Sequence, residues 1–210
     1  MAGDTHNFTP ALGHATLTPL YDSAIAVLTR EGRWRNALVQ QIAPKATDVI
    51  VDVGCGTGTL VLMLKRVAPS ATIIGLDPDP AVLDLAKAKA QRAGANEVQR
   101  LAELGVTKAV SSLVFHQTPM SEKRAGVLAM HDALLPSGEL HVADYGLQRT
   151  PLMRTLFRQI QRLDGVENTT PNAEGVLPRL MSEAGFVDVT ETVVIPTPTG
   201  SISLYLARKG

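Results

Sequence analysis

The stretch Asp48–Val53, "DVIVDV", is β-branched and apolar, and it runs straight into the alternating glycines of "GCGTG", Gly54 to Gly58. A strand this apolar has to be covered on both faces, as strands of parallel sheets are. The helical pattern of Thr59–Val67 follows at once and is stopped near Pro69. Ala71–Leu76 reads as a second strand, and Ala81–Ala93, rich in alanine, leucine and lysine, as a helix that ends at Gly94. Strand, glycine turn, helix, strand is the order of an α/β protein with a mainly parallel, doubly wound sheet.

The later chain keeps the alternation. "AVSSLVFHQ" gives a strand from about Ala109 to Val114, Ser121–Leu135 a helix capped by Ser121, and "LPSG" a turn before the strand Glu139–Ala143. "TPLMRTLFRQIQRL" and "GVLPRLMSEAG" are helical. "FVDVTETVVI" and "SISLYLAR" are strands whose short link, "PTPTG", makes them an antiparallel hairpin. Before Asp48, Ile25, Leu28, Trp34, Leu38 and Ile42 recur at helical intervals. Residues 1–47 are therefore expected to form a helical cap over a domain of residues 48–210, within one globular unit.

Composition narrows the function. At 210 residues the chain suits one domain with a full core, and 45% hydrophobic against 19% charged residues is globular. Lys plus Arg number 20 and Asp plus Glu 20, so the basic footprint of a nucleic-acid binder is missing. No apolar run reaches the ~18 residues of a membrane span, and the N-terminus lacks a secretion signal's pattern. Cys55 is the single cysteine, which points to a reducing, cytoplasmic setting.

The turn carries the chemistry. Ligands of open α/β sheets sit beyond the carboxyl ends of the strands, where a bare glycine backbone and the free N–H groups of a helix start can meet them. An acid at the end of the second strand can accept both hydroxyls of a ribose, and Asp77 in "IIGLDPDP" stands there. A tight turn with Asp77 as a helix-entry residue is the plainer account of the same residues. Dinucleotide folds space their glycines G-x-G-x-x-G. Here the glycines alternate, and Asp52 stands two positions ahead of Gly54, where it repels pyrophosphate and suits a cation.

"DVGCGTG" resembles motif I of the class I S-adenosylmethionine (SAM)-dependent methyltransferases. "SSLVFHQ", "LLPSGELHVADYG" and "LMSEAGFVDV" resemble later elements of their UbiE-like small-molecule branch, as "LTPLYD" and "RWR" resemble its N-terminal cap. The resemblance implies a Rossmann-like methyltransferase fold and SAM as cofactor, held by Asp52, Gly54, Cys55, Gly56, Gly58, Asp77, Pro78 and Ser112. It further implies a small-molecule acceptor. No nucleic acid and no metal are expected, and a homodimer is the assembly to test for. A SAM-fold protein without catalysis is the alternative; an NAD-linked oxidoreductase is disfavoured by the glycine spacing and by Asp52.

The pattern breaks between Asn96 and Ser111. A third strand at Glu97–Leu101 would leave about seven residues to cover a diagonal of ~22 Å, at ~3.3 Å each. Val98, Leu101 and Leu104 instead recur at helical intervals, with Gly105 as a cap. Glu97–Leu104 is thus expected to be the crossover helix and the edge strand to be lost or shortened, unless the sequence lacks residues there.

For catalysis, His116 just past the strand of about Ala109 to Val114 is the expected base, with Asp144 and Tyr145 lining the acceptor pocket. A loop histidine and ordinary turn residues are the plainer readings of the three. His131 and His141 read as satisfied core histidines, and Tyr21 as either a residue closing over the cofactor or a packing residue. The Cys55 side chain reads as packing, with a thiol pKa lowered by the helix start.

Overall fold

The structure is a computed structural model and describes residues 29–79, Leu83 and residues 105–210. Helix α1 (Glu31–Ile42) leads into strand β1 (Val49–Val53), helix α2 (Thr59–Val67) and strand β2 (Thr72–Leu76). Strand β3 (Val106–Ser112) follows, then a 3-10 turn at Phe115–Gln117, helix α3 (Met120–Ala133) and strand β4 (Leu134–Tyr145). Helices α4 (Pro151–Asp164), α5 (Val166–Ala173) and α6 (Val176–Glu183) precede the hairpin of β5 (Phe186–Thr197) and β6 (Gly200–Lys209).

Among the described residues the sheet has the order β2-β1-β3-β4-β6-β5. The first four strands are parallel, and β6 joins β4 and β5 antiparallel. Period-2 alternation sorts the side chains into two cores. Val51, Leu140 and Val142 face α3 and α6 with Val127, Met130, Leu177 and Leu180. Ile50, Val110, Ala143 and Tyr145 face the other side with Trp34 and Leu38 of α1, Leu60 and Leu64 of α2, and Phe157 of α4. Helices on both faces make the sheet doubly wound, as its sequence pattern implied. Helix α1 shares its core with β1 rather than forming one of its own.

Several boundaries move. Helix α3 is capped by Pro119 rather than Ser121 and ends at Ala133. The "LPSG" stretch is no separate turn but an irregularity inside β4: Val106 pairs with Leu134 and Lys108 with Glu139, so β4 carries extra residues between them. Gly138 permits the crowding, since a Cβ there would lie 2.8 Å from the Leu135 carbonyl oxygen. The helix expected over Ala81–Ala93, apart from helical Leu83, lies outside the described residues. So do the Glu97–Leu104 crossover helix, and with it the lost edge strand, and Tyr21.

Candidate active site

Strand β1 delivers the glycine turn to the carboxyl end of the sheet. Gly54 and Cys55 both donate their N–H groups to the Leu76 carbonyl, at 2.8 and 2.9 Å, which ties the turn to the end of β2. Gly54 has φ +72°, and a Cβ there would lie 2.2 Å from Val114 Cγ2. Gly56 has φ +53° and open space where its Cβ would be. Gly54 is required both by its φ and by the neighbouring loop, Gly56 by its φ alone. Gly58, at φ +76°, is the N-cap of α2.

Two acids frame the turn. Asp77 accepts the Gly56 N–H on Oδ2 at 2.9 Å and the Asp79 N–H on Oδ1 at 3.0 Å. It therefore acts as the turn's own cap, and a carboxylate with about four acceptor sites keeps capacity for a ligand. Pro78 beside it is exposed. Asp52 is fully buried, and neither carboxylate oxygen has a hydrogen-bond partner among the described residues. Burial pushes its pKa up to about 7, with Arg35 opposing the shift and Asp77 adding to it. An orphaned buried acid under a glycine turn is costly unless a cation completes it.

Cys55 behaves opposite to expectation. Burial, then the charges of Asp52 and Asp77, push its thiol up to about 12, outweighing the backbone at the helix start. Its sulfur would also lie 2.8 Å from a Cβ at Gly75, so the side chain fills the space between β2 and the turn. Ser112, half-buried, ends β3 opposite Ala143, while the neighbouring Ser111 hydroxyl donates to the Val53 carbonyl at 2.9 Å.

Leu113 adopts φ +57°, a conformation leucine rarely holds, and its N–H donates to the Ala143 carbonyl at 2.9 Å. The kink lays Val114 over Gly54 and swings His116 back onto β4. Asp144, at 0% exposure, accepts from the backbone N–H groups of Phe115 (2.7 Å), His116 (3.4 Å) and Tyr145 (2.7 Å). Its Oδ1 also meets His116 Nδ1 at 2.8 Å. His116 Nε2 lies 3.3 Å from Asp164 Oδ2, at the last residue of α4. Burial alone would lower the His116 pKa, but Asp144 and then Asp164 outweigh it and hold it at about 9.

His116, Asp144 and Tyr145 thus come together as the sequence suggested, in a different arrangement. Both ring nitrogens of His116 face carboxylates, so at neutral pH it is an imidazolium without a free lone pair. The expected base is a fixed cation instead. Tyr145 does not line an open pocket: it is 1% exposed, its hydroxyl pairs with Thr199 Oγ1 at 2.7 Å, and its ring meets His116 and Phe157 at centroid distances of 5.0 Å each. Asp144, equally buried, lines no pocket either and is held by His116 and three backbone N–H groups.

Lys123 completes the cluster. Its buried ammonium donates to the Phe115 carbonyl and, at 2.9 Å, to the Asn168 carbonyl, binding the 3-10 turn to α5. Burial lowers its pKa to about 8 against the pull of Asp144. Neither Lys123 nor Asp164 belongs to a motif, though each leaves a signal in the sequence. Lys123 takes an apolar position in the stripe continued by Val127 and Met130, and Asp164 sets a negative charge in the last turn of a helix. His141, by contrast, is a satisfied core histidine as expected, between Gln41 at 3.2 Å and Glu139 at 3.3 Å. His131 is only partly buried, its ring against Phe186.

Residues 50–138 match a family model described as a methyltransferase domain. The matched segment runs from β1 through the glycine turn and Asp77 into β4, so the resemblance falls on the elements that build the site. The chain is 39% identical over 80 residues to the demethylmenaquinone methyltransferase of Thermus thermophilus, covering 37% of this chain and 36% of that one. It is 27% identical over 155 residues to the enzyme of the same name from Deinococcus radiodurans, covering 69% of this chain and 63% of that one. The chain therefore spans less than two thirds of the length of either relative. A solved structure of magnesium protoporphyrin IX methyltransferase from Synechocystis, with SAH bound, superposes with a TM-score of 0.63 at 18% identity, over 86% of this chain and 84% of that one. At that identity the likeness carries the fold alone. Among the described residues, no helix is long and apolar enough to cross a membrane.

Proposed function

We propose that the chain transfers a methyl group from SAM to a small-molecule acceptor. The observation that carries this reading is Asp52, buried beneath a glycine turn with neither carboxylate oxygen hydrogen-bonded among the described residues. A cationic cofactor completes that carboxylate, whereas the pyrophosphate of NAD would meet it with like charge. The rest of the site fits the same group. Gly56 leaves the backbone open, and Asp77, held by Gly56 and Asp79, has lone pairs left for a ribose. Gly54, Gly58, Pro78 and Ser112 shape the cleft, and Cys55 supports it from below.

When bound, SAM supplies an electrophilic methyl group on a sulfonium sulfur. What remains for the chain is to bind, to orient and to exclude water. Asp52 and Asp77 bind. Asp144 gathers three backbone N–H groups and so fixes the loop from Leu113 to His116, which abuts the glycine turn through Val114. His116 supplies a fixed positive charge at the carboxyl ends of β3 and β4 and takes no proton while both carboxylates hold it. The relatives' names favour a quinone-type acceptor. The balanced charge supports a role without nucleic acid, and the single cysteine a cytoplasmic one; a homodimer and a cap formed by residues 1–47 belong to the same proposal.

Calorimetry tests it. Asp77→Ala should weaken SAM binding at least about tenfold, as loss of a charged hydrogen bond costs ~1.5–3 kcal/mol. NAD should give no heat of binding. Wild-type affinity for SAM in the Asp77→Ala protein would sink the assignment.

A further inference from the structure

We propose that Asp164 is an internal stand-in for the acceptor, occupying His116 Nε2–H until an ionised or acidic oxygen of the substrate replaces it. The inference rests on the methyl-transfer reading only for the word acceptor; the anion-binding site it describes stands on the geometry of His116.

The two carboxylates on His116 are not equivalent. Asp144 is fully buried and takes three backbone N–H groups besides the ring, so releasing it would strand all of them. Asp164 meets the ring at 3.3 Å with a side chain 24% exposed, so it can turn out to water. Its position also argues against a helical role. It ends α4, where the dipole disfavours a negative charge, and Gly165 follows at φ +85°. His116 is what keeps it there.

Charge balance then selects the replacement. The groups facing the imidazolium are Asp144 on β4, Asp164 on α4 and the Tyr145 ring edge, with Lys123 of α3 against the same turn. Two cations face two carboxylates. With Asp164 withdrawn, the buried cluster carries a surplus positive charge, which is costly unless an anion compensates it. The site therefore takes an acceptor with a phenolate, enolate or carboxylate oxygen beside the atom to be methylated. A neutral or cationic acceptor leaves the surplus in place.

The test uses the full chain without SAM and the fluorescent anion 1-hydroxy-2-naphthoate, with 2-methoxynaphthalene as the neutral analogue. Asp164→Asn should bind the anion about tenfold more tightly than wild type, since the competing charged contact is gone. His116→Gln added to it should remove the gain. Glu167→Gln, which neutralises an exposed carboxylate three residues away, should change nothing. Equal tightening in Glu167→Gln, or equal tightening toward the neutral analogue, overturns the proposal. So does unchanged, weaker or absent anion binding in Asp164→Asn that melts like wild type; if that variant does not fold, Asp164→Ser is read in its place. Since SAM is absent here, a failure of the SAM-binding reading shows separately, in the calorimetry above.

Discussion

At Gly54 an added Cβ would lie 2.2 Å from Val114 Cγ2, whereas at Gly56 it would enter open space. Both residues hold positive φ, so alanine is strained at either position. Gly54→Ala adds overpacking to that strain and should cost about 2–4 kcal/mol of stability by urea denaturation. Gly56→Ala should cost about 1 kcal/mol of stability and show its main effect as weakened SAM binding. Equal stability losses would contradict this division of labour. The sequence made both glycines legible as one motif, because spacing is local. It could not tell them apart, because Val114 comes from a loop 60 residues further along the chain. The Cys55 thiol was misjudged for the same reason: a helix start is visible in sequence, but burial against Gly75 and two acids is not.

Helix α1 was read from the recurrence of Trp34, Leu38 and Ile42, and all three are fully buried. They pack with Ile50 of β1 and Leu60 of α2, so the helix is part of the sheet's core. Trp34→Ala should therefore cost about 3–5 kcal/mol and shift a single cooperative urea transition. A separate early transition would mean that α1 unfolds on its own. At the other end, the shape of β4 was only partly legible. Local signals in "LPSG" say turn, but pairing with β3 draws the chain into the strand from Leu134, and Gly138 absorbs the crowding. Tertiary pairing outweighed turn propensity there. Lys123 shows the same limit: its apolar-stripe position marks it as odd, while its carbonyl partners at Phe115 and Asn168 exist only once α3, the 3-10 turn and α5 have met.

For the whole molecule, the shifted groups predict how stability changes with pH. His116 rises from 6.5 to about 9 on folding, so its contribution is full below pH 6.5 and is lost as pH rises through 9. Asp52 rises from 3.8 to about 7, so its contribution is full below pH 3.8 and mostly gone as pH rises through 7. Lys123 falls from 10.5 to about 8, so its effect has the opposite sign and begins only near pH 8. Between pH 7 and 8 the His116 effect dominates. Stability should drop there by about 1 kcal/mol, at up to ~1.4 kcal/mol per pH unit, and level off between pH 8 and 9 as Lys123 offsets it. Thermal melting across pH 7–9 measures this, and His116→Gln should abolish the drop. A drop that survives in His116→Gln would place the titrating group elsewhere.

By itself the sequence determined the doubly wound sheet, its antiparallel end, the glycine turn and the two acids that frame it. These are written in periodicity, in residue types that only one backbone conformation tolerates, and in spacings within a few tens of residues. Tertiary structure alone decided the chemistry of His116. Its neighbours Asp144 and Asp164 come from a strand and a helix far along the chain, and a histidine's charge depends on what lies within a few ångströms of its two nitrogens. Folding turned an apparent base into a buried cation, because two carboxylates supplied more than burial took away.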